Sequence, residues 1–376
     1  MNDKKKIGIL TFHNAHNYGA VLQAYALKTK LNRMGHEASV LNYQNKYIAK
    51  TYRKVLHIDF WKRDILPSRW GKVIREVRDV FYGLKEWQKQ WKVFEDFIAE
   101  KLLDGDTKQL SLEEVAAKDC DVYVLGSDQI WARELTHGMD PAYFGQFAPE
   151  KKKISYAASV PNGSIPENEK PFFKQYLESL SHISVREEKL AQSLRDLTGR
   201  KIDTVIDPTL LLEREDYEPL LYKKTLKQGD YVFAYFVVEN EMVSCCAKKA
   251  AELLGCELIE LHYKKTPVIC GKNMIFDAGP SEFLTYIRDA KMVVTNSFHG
   301  TVFSILFRKK FYSVYKENGR IDNLLGFLGL QERHITEESQ IQITREIDYG
   351  QSDKGLQEYR QQSENFLVKG ISAVDD

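Results

Sequence analysis

Lys291–Phe307 reads KMVVTNSFHGTVFSILF, and its pattern changes twice. Met292 to Val294 is a short apolar run of the kind a buried parallel strand shows. Thr295, Asn296 and Ser297 interrupt it, and from Thr301 the apolar positions Val302, Ile305 and Leu306 return at helical spacing. The segment predicts strand, tight turn and helix, with His299 and Gly300 at the turn. In an open α/β sheet such a turn lies at the carboxyl edge, where ligands bind. The helix start at Gly300 and Thr301 favours an anion, and a glycine there lets backbone approach a ligand. The local alternative for His299 is to cap or pack the turn.

The chain has 376 residues, enough for two domains with a sizeable core in each. Apolar residues make up 43% and charged residues 28%, as in ordinary globular proteins. The net charge of +1 provides no global field for nucleic acid. MNDKKK followed by IGILTF has too short an apolar run for a signal peptide, and no window resembles a membrane span. Cys120, Cys245, Cys246, Cys256 and Cys270 form no CxxC pair, which fits a reducing compartment and a cytoplasmic protein.

The same alternation of strand and helix runs through the chain. Ile7–Phe12 reads as a buried strand, followed by HNAHNYGAVLQAYALKTKL, where Asn17 can cap a helix with Ala20, Ala24, Leu27 and Leu31 on one face. Ser39–Tyr43 is expected to be the next strand. Residues 46–103 interrupt the alternation with a basic, aromatic insert holding Trp61, Trp70, Trp87 and Trp91. We expect two or more amphipathic helices there, with Trp87, Trp91, Phe94 and Ile98 on one face and Val73, Val77 and Leu84 on another. Such helices either lie on an anionic membrane surface or pack their aromatics on the domain.

Strands resume at Asp121–Leu125, Lys153–Ala158, HISVREE and Thr204–Ile206, and acidic EREDYEPL marks a boundary. Residues 1–212 are expected to form one Rossmann-like domain with the insert, and residues 213–350 a second. Residues 351–376 add a last amphipathic helix carrying Leu356, Tyr359, Phe366 and Leu367. The predicted class is α/β, with two units facing a cleft lined by the loops FHNAHNYG, GSDQIW, SVREE, NSFHG and NGRIDN. No Walker-type phosphate loop, HExxH, GxSxG or metal-ligand spacing is present.

In order along the chain, IGILTFHNAHNYGAVLQAYAL, VLGSDQIW, SYAASVP, SVREE, VIDPTLLL and TNSFHGTVFSILF resemble the polysaccharide pyruvyl transferase family. The resemblance covers Ile7 to about Arg333, apart from the insert. It implies transfer of pyruvate from phosphoenolpyruvate to a sugar as a cyclic ketal, and a glycosyltransferase-like GT-B fold whose C-terminal helix crosses back to the first domain. It also implies an essential arginine at Arg186 and an essential histidine at His299. Two positions depart from the family pattern. Ser297 stands where many members have an arginine, and Ala20 follows Gly19 where many have aspartate. Arg320 is the candidate to supply the missing charge.

Phosphoenolpyruvate carries a carboxylate and a phosphate, so its site needs cations and N–H donors. Arg186 can grip either group with two parallel hydrogen bonds. Its alternative is an ion pair with Glu187 or Glu188. Ser297, His299, Gly300, Thr301 and Arg320 complete the expected donor site. His299 is expected to be the general acid that protonates the methylene carbon. A helix start disfavours imidazolium, whereas a bound anion favours it, so His299 is expected to become an acid only in the donor complex. Asp128 is the candidate acceptor for the sugar hydroxyl's proton, or else a turn cap. Asn14, Asn17, Ser127 and Trp131 are acceptor-binding candidates, since amides, hydroxyls and aromatic faces suit sugars.

No cofactor or metal is expected. The partners expected are phosphoenolpyruvate and a glycan or lipid-linked sugar, with peripheral membrane contact through the insert at the inner face of the cell membrane. The competing readings are a nucleotide-sugar glycosyltransferase, with Glu317 as ribose partner, and a non-catalytic glycan-binding relative, which Ser297 would suit.

Overall fold

A computed structural model describes residues 4–48, 67–266 and 269–372, with the side chains of 67–81 excluded. The first sheet contains β1 (Lys6–Leu10), β2 (Glu37–Val40), β3 (Val122–Leu125), β4 (Lys152–Ala158), β5 (His182–Val185) and β6 (Ile202–Thr204). The second contains β7 (Tyr231–Tyr235), β8 (Glu257–Leu261), β9 (Met274–Ile275), β10 (Met292–Thr295), β11 (Lys310–Val314) and β12 (His334–Ile335). Their orders are β2-β1-β3-β4-β5-β6 and β12-β11-β10-β7-β8-β9, and the pairings are parallel. In each sheet the chain runs outward one way and then the other, so strand order reverses between β1 and β3 and between β7 and β10. The loops following these strands are where such sheets bind ligands.

The longer helices are α1 (Tyr18–Arg33), α2 (Pro67–Phe97), α3 (Glu188–Thr198), α4 (Glu241–Leu254), α5 (Pro280–Asp289), α6 (Phe298–Leu306), α7 (Gly319–Phe327) and α8 (Tyr349–Ser372). Asn17 caps α1 by accepting the Ala20 N–H at 3.2 Å, as its side chain and position suggest. β2 ends three residues before Tyr43, because Tyr43 turns to bridge Leu110.

One apolar core spans both sheets, and Tyr18 is at their junction. Its hydroxyl donates to the Ala278 carbonyl at 2.8 Å, and its ring lies 4.6 Å from Phe283 and 5.1 Å from Phe94. From Pro67 the described part of the insert is one helix of 31 residues that runs into a π turn at Ile98–Leu102, and residues 49–66 of the expected two or more helices lie outside the described residues. Trp61 lies outside the described residues, as do the side chains of Trp70, Val73 and Val77. The aromatic face that is described packs on protein. Trp91 lies 4.1 Å from the His16 ring, Phe94 is buried, and Glu86 and Lys89 pair across to Lys265 and Asp277 of the second unit. The insert thus braces both units. No helix among the described residues is long and apolar enough to cross a membrane.

α8 begins on the second unit, where Ser352 donates to the Leu328 carbonyl at 3.1 Å. It ends on the first. Ser363 accepts the Ile206 N–H at 3.1 Å, and Arg360 Nε donates to the Leu210 carbonyl at 2.6 Å.

A separate charged cluster lies beyond β7 and β8. The buried His262 ring stacks on Phe236, its Nδ1 is 2.9 Å from Glu239, and its Nε2 is 3.8 Å from Glu260. Burial pushes the imidazole down, but Glu239 and Glu260 outweigh it and raise it to about 9. A raised value stabilises the fold fully below the ordinary 6.5 and ceases to do so as pH passes about 9. Stability read from thermal melts should therefore fall across that window, by about 3 kcal/mol at most and by less once solvent screening at the exposed Glu239 is allowed for, and His262→Gln should flatten the fall. An unchanged profile in the variant would refute this.

Candidate active site

Asp207 joins three segments that the sequence keeps apart. It follows β6 in the VIDPT stretch and turns inward because its Oδ1 caps the next turn, accepting from Thr209 N at 3.0 Å and Thr209 Oγ1 at 2.6 Å. Its Oδ2 accepts from Arg186 Nη1 at 2.7 Å and lies 3.6 Å from His299 Nε2. That last distance is too long for a hydrogen bond. Burial pushes the carboxyl up, but His299, Arg186 and Thr209 outweigh it and hold Asp207 well below the usual carboxylate range. Arg186 after β5 and His299 after β10 thus share one carboxylate between the two sheets.

Arg186 is nearly enclosed. Nη1 goes to Asp207 and Nε to Glu187 Oε1 at 3.3 Å, while Nη2 is 3.9 Å from Asp128 Oδ1. Burial opposes its charge, yet Glu187, Asp207 and Asp128 hold the guanidinium protonated. Nη2 has no hydrogen-bond partner and is buried. Nη1 and Nε are thus already engaged, and Nη2 is the guanidinium nitrogen left to meet a ligand. Glu188 pairs with Arg195 instead.

His299 is 8% exposed, and its Nε2 has no hydrogen-bond partner. Gly19, in the first turn of α1, lies against its other nitrogen. A Cβ at Gly19 would be 1.9 Å from Nδ1. The first domain therefore contributes a missing side chain to the histidine site.

Arg320, at the start of α7, is partly buried and lies over the Phe298 ring at 6.0 Å, a ring that Arg186 also meets at 5.1 Å. Burial and the neighbouring Arg186 push Arg320 down. A cavity of about 190 Å³ is lined by Arg186, Glu187, Asp207, Phe298, Arg320 and Tyr359, among others. Asp128, Glu187 and Asp207 face Arg186 and Arg320 here, so carboxylates outnumber guanidiniums.

Arg186, His299, Asp128 and Arg320 come together, but several other predicted residues do not. Ser297 caps α6, its Oγ accepting the Gly300 N–H at 3.2 Å, and its carbonyl accepts the Thr301 N–H at 3.0 Å. The helix-start N–H groups at Gly300 and Thr301 are thus already satisfied. Gly300 serves close packing on β10, since a Cβ there would be 2.6 Å from Thr295 Oγ1. Asn17 spends its amide on the cap and on Tyr263 Oη at 3.2 Å. Ser127 is buried and donates to the Ala157 carbonyl at 3.2 Å. Trp131 is a core residue, its Nε1 donating to the Tyr143 carbonyl at 2.9 Å and its ring stacked on Phe144. Asn14 remains an acceptor candidate: both side-chain polar atoms are buried without hydrogen-bond partners. Asp128 directs its carboxylate toward Arg186, and Glu317 is exposed.

Sequence reasoning assigned no site role to Asp207 and treated Glu187 only as a pairing partner. The available signal was an Asp-Pro-Thr turn at a strand's carboxyl end.

A family model described as polysaccharide pyruvyl transferase matches residues 17–318, a span that includes Gly19, Arg186, Asp207 and His299. The chain belongs to the polysaccharide pyruvyl transferase family. Curated proteins supply no match to the sequence. Among solved structures, a protein from Listeria monocytogenes assigned as a UDP-N-acetylglucosamine 2-epimerase is 11% identical with a TM-score of 0.50, over 99% of this chain and 92% of that one. UDP-GlcNAc 2-epimerase from Methanocaldococcus jannaschii is 11% identical with a TM-score of 0.49, over 94% and 92%. The glycosyltransferase SnogD from Streptomyces nogalater is 12% identical with a TM-score of 0.41, over 97% and 96%. The first likeness shows the fold alone. This pyruvyl transferase family member has two Rossmann-like domains facing a cleft, in the GT-B manner.

Proposed function

We propose that the protein transfers pyruvate from phosphoenolpyruvate to hydroxyls of a polysaccharide sugar or its precursor, forming a ketal. The observation carrying this reading is a pair of buried, unpartnered nitrogens, Arg186 Nη2 and His299 Nε2, on two cationic-type side chains that share Asp207. Buried polar atoms are rarely left unpaired, and an anionic donor would satisfy both. Family membership supports the same reading.

In the proposed reaction His299 protonates the methylene carbon, leaving positive character on the central carbon. A sugar hydroxyl attacks there and gives its proton to Asp128. The bond from the central carbon to the phosphate oxygen breaks, inorganic phosphate leaves with the proton held by Asp128, and a second hydroxyl closes the ring as its proton passes to the neutral His299, restoring the acid. Arg320 offsets the phosphate charge. No metal or cofactor enters these steps.

Calorimetric titration of phosphoenolpyruvate into the wild type, Arg186→Ala and His299→Ala tests the donor, with nucleotide sugars as controls. Binding is expected in the wild type and lost in Arg186→Ala. Binding of a nucleotide sugar in place of phosphoenolpyruvate would overturn the proposal.

A further inference from the structure

We propose that Glu187 binds the donor as a neutral acid, so that donor entry places a proton on this side chain. The inference rests on the pyruvyl-transfer reading above. Glu187 is 4% exposed and lines the cavity. Its Oε1 accepts from Ser159 Oγ at 2.7 Å and from Arg186 Nε at 3.3 Å. Its Oε2 is buried with no hydrogen-bond partner.

The charged groups around it come from every neighbouring element. Arg186 and Glu188 flank it in the chain, and Glu188 also borders the cavity but has its oxygens engaged by Arg195 and Thr204. Asp128 comes from the loop after β3 and Asp207 from the turn after β6; Arg320 comes from α7, and His299 lies beyond Asp207. Ser159 supplies only a hydroxyl from the end of β4. Ser297, committed to its cap, brings no charge.

Phosphoenolpyruvate would bring about two to three negative charges to a place where carboxylates already outnumber guanidiniums. Like charges withdrawn from water repel strongly, and a proton removes one of them. Asp207 has both oxygens occupied by Arg186 and Thr209, and Asp128 is partly open to solvent. Glu187 alone among these carboxylates holds an unpartnered oxygen in the buried wall. Once protonated, Oε2–H can donate to a donor oxygen, the strong charge-assisted kind of hydrogen bond. The proton thereby supplies charge balance that a further arginine would otherwise provide.

The test is calorimetry with phosphoenolpyruvate in buffers of differing ionisation enthalpy, at alkaline pH where its own ionisation is complete. Glu187→Gln keeps a hydrogen-bond donor but cannot titrate. Wild type is expected to take up about one proton more per donor than Glu187→Gln, and its affinity to fall about tenfold more steeply per pH unit. A merely structural Glu187 would leave proton uptake equal in the two proteins. Equal uptake, or none in the wild type, would overturn the proposal. Should Glu187→Gln fail to fold, infrared difference spectra of the wild type decide: a protonated-carboxyl band is expected on donor addition, and its absence overturns the proposal. Failure of phosphoenolpyruvate to bind at all would also overturn the pyruvyl-transfer reading, whereas binding without proton uptake overturns this inference alone.

Discussion

Gly19→Ala is expected to lower the proposed pyruvyl transfer by about 100-fold or more while the protein stays folded. The new Cβ would lie 1.9 Å from His299 Nδ1, 2.5 Å from Cε1 and 2.6 Å from Cγ. Atoms cannot remain that close, so either the helix or the ring must move by about 1 Å or more. α1 cannot shift easily, because Val21, Leu22, Ala24 and Leu27 are buried without exposed surface. The ring is the softer element, and its displacement changes the 3.6 Å relation to Asp207. The stability effect should be modest. Alanine gains about 1 kcal/mol over glycine in a helix, and overpacking costs about 1–3 kcal/mol. Phosphate release from phosphoenolpyruvate, read beside a thermal melt, separates the two effects. Full activity with an unmoved His299 resonance would show that the close approach is not needed.

Arg186→Ala should remove donor binding and also cost about 3–5 kcal/mol of stability. The guanidinium meets Asp207 at 2.7 Å and Glu187 at 3.3 Å inside the protein, and its loss leaves buried carboxylates without their cation. A melting temperature lower by roughly 10 °C is expected. The deficit should shrink in acid, and the sign follows from Asp207. Its native value is depressed, so its contribution is present above the ordinary 3.8 and fades as pH falls through the native value. The intact protein thus loses stability on acidification that the variant no longer has to lose. Arg186→Lys should be intermediate in stability, since one ammonium cannot reproduce the fork that reaches Asp207 and Glu187 together. Wild-type stability in Arg186→Ala would contradict the buried pair.

Much of the fold was legible because strand and helix periodicities are local. The reading at Lys291–Phe307 gives the order of β10 and α6, although α6 starts at Phe298, so His299 and Gly300 lie in its first turn and not in the turn before it; Asn17 caps α1 where its position suggested. Ser297 had no such transparency. The same serine can replace a charge, bind a ligand or cap a helix, and only its 3.2 Å bond to Gly300 N–H shows which. Trp131 failed for a related reason. A single aromatic in a turn can point to a cleft or a core, and periodicity does not distinguish them.

By itself the sequence determined the alternation of parallel strands and helices, the place of His299 at a strand's carboxyl end, and the ordered motifs of the family. Those properties depend on neighbouring residues, or on residues copied in order. Tertiary structure alone decided that Asp207 lies between Arg186 and His299, that Gly19 makes room for the imidazole, and that α2 braces both units. Each of these joins segments distant in sequence, so each depends on how the two sheets dock. Burial then sets the chemistry, because it is the shared enclosure of these charges that leaves Arg186 Nη2, Glu187 Oε2 and His299 Nε2 without partners.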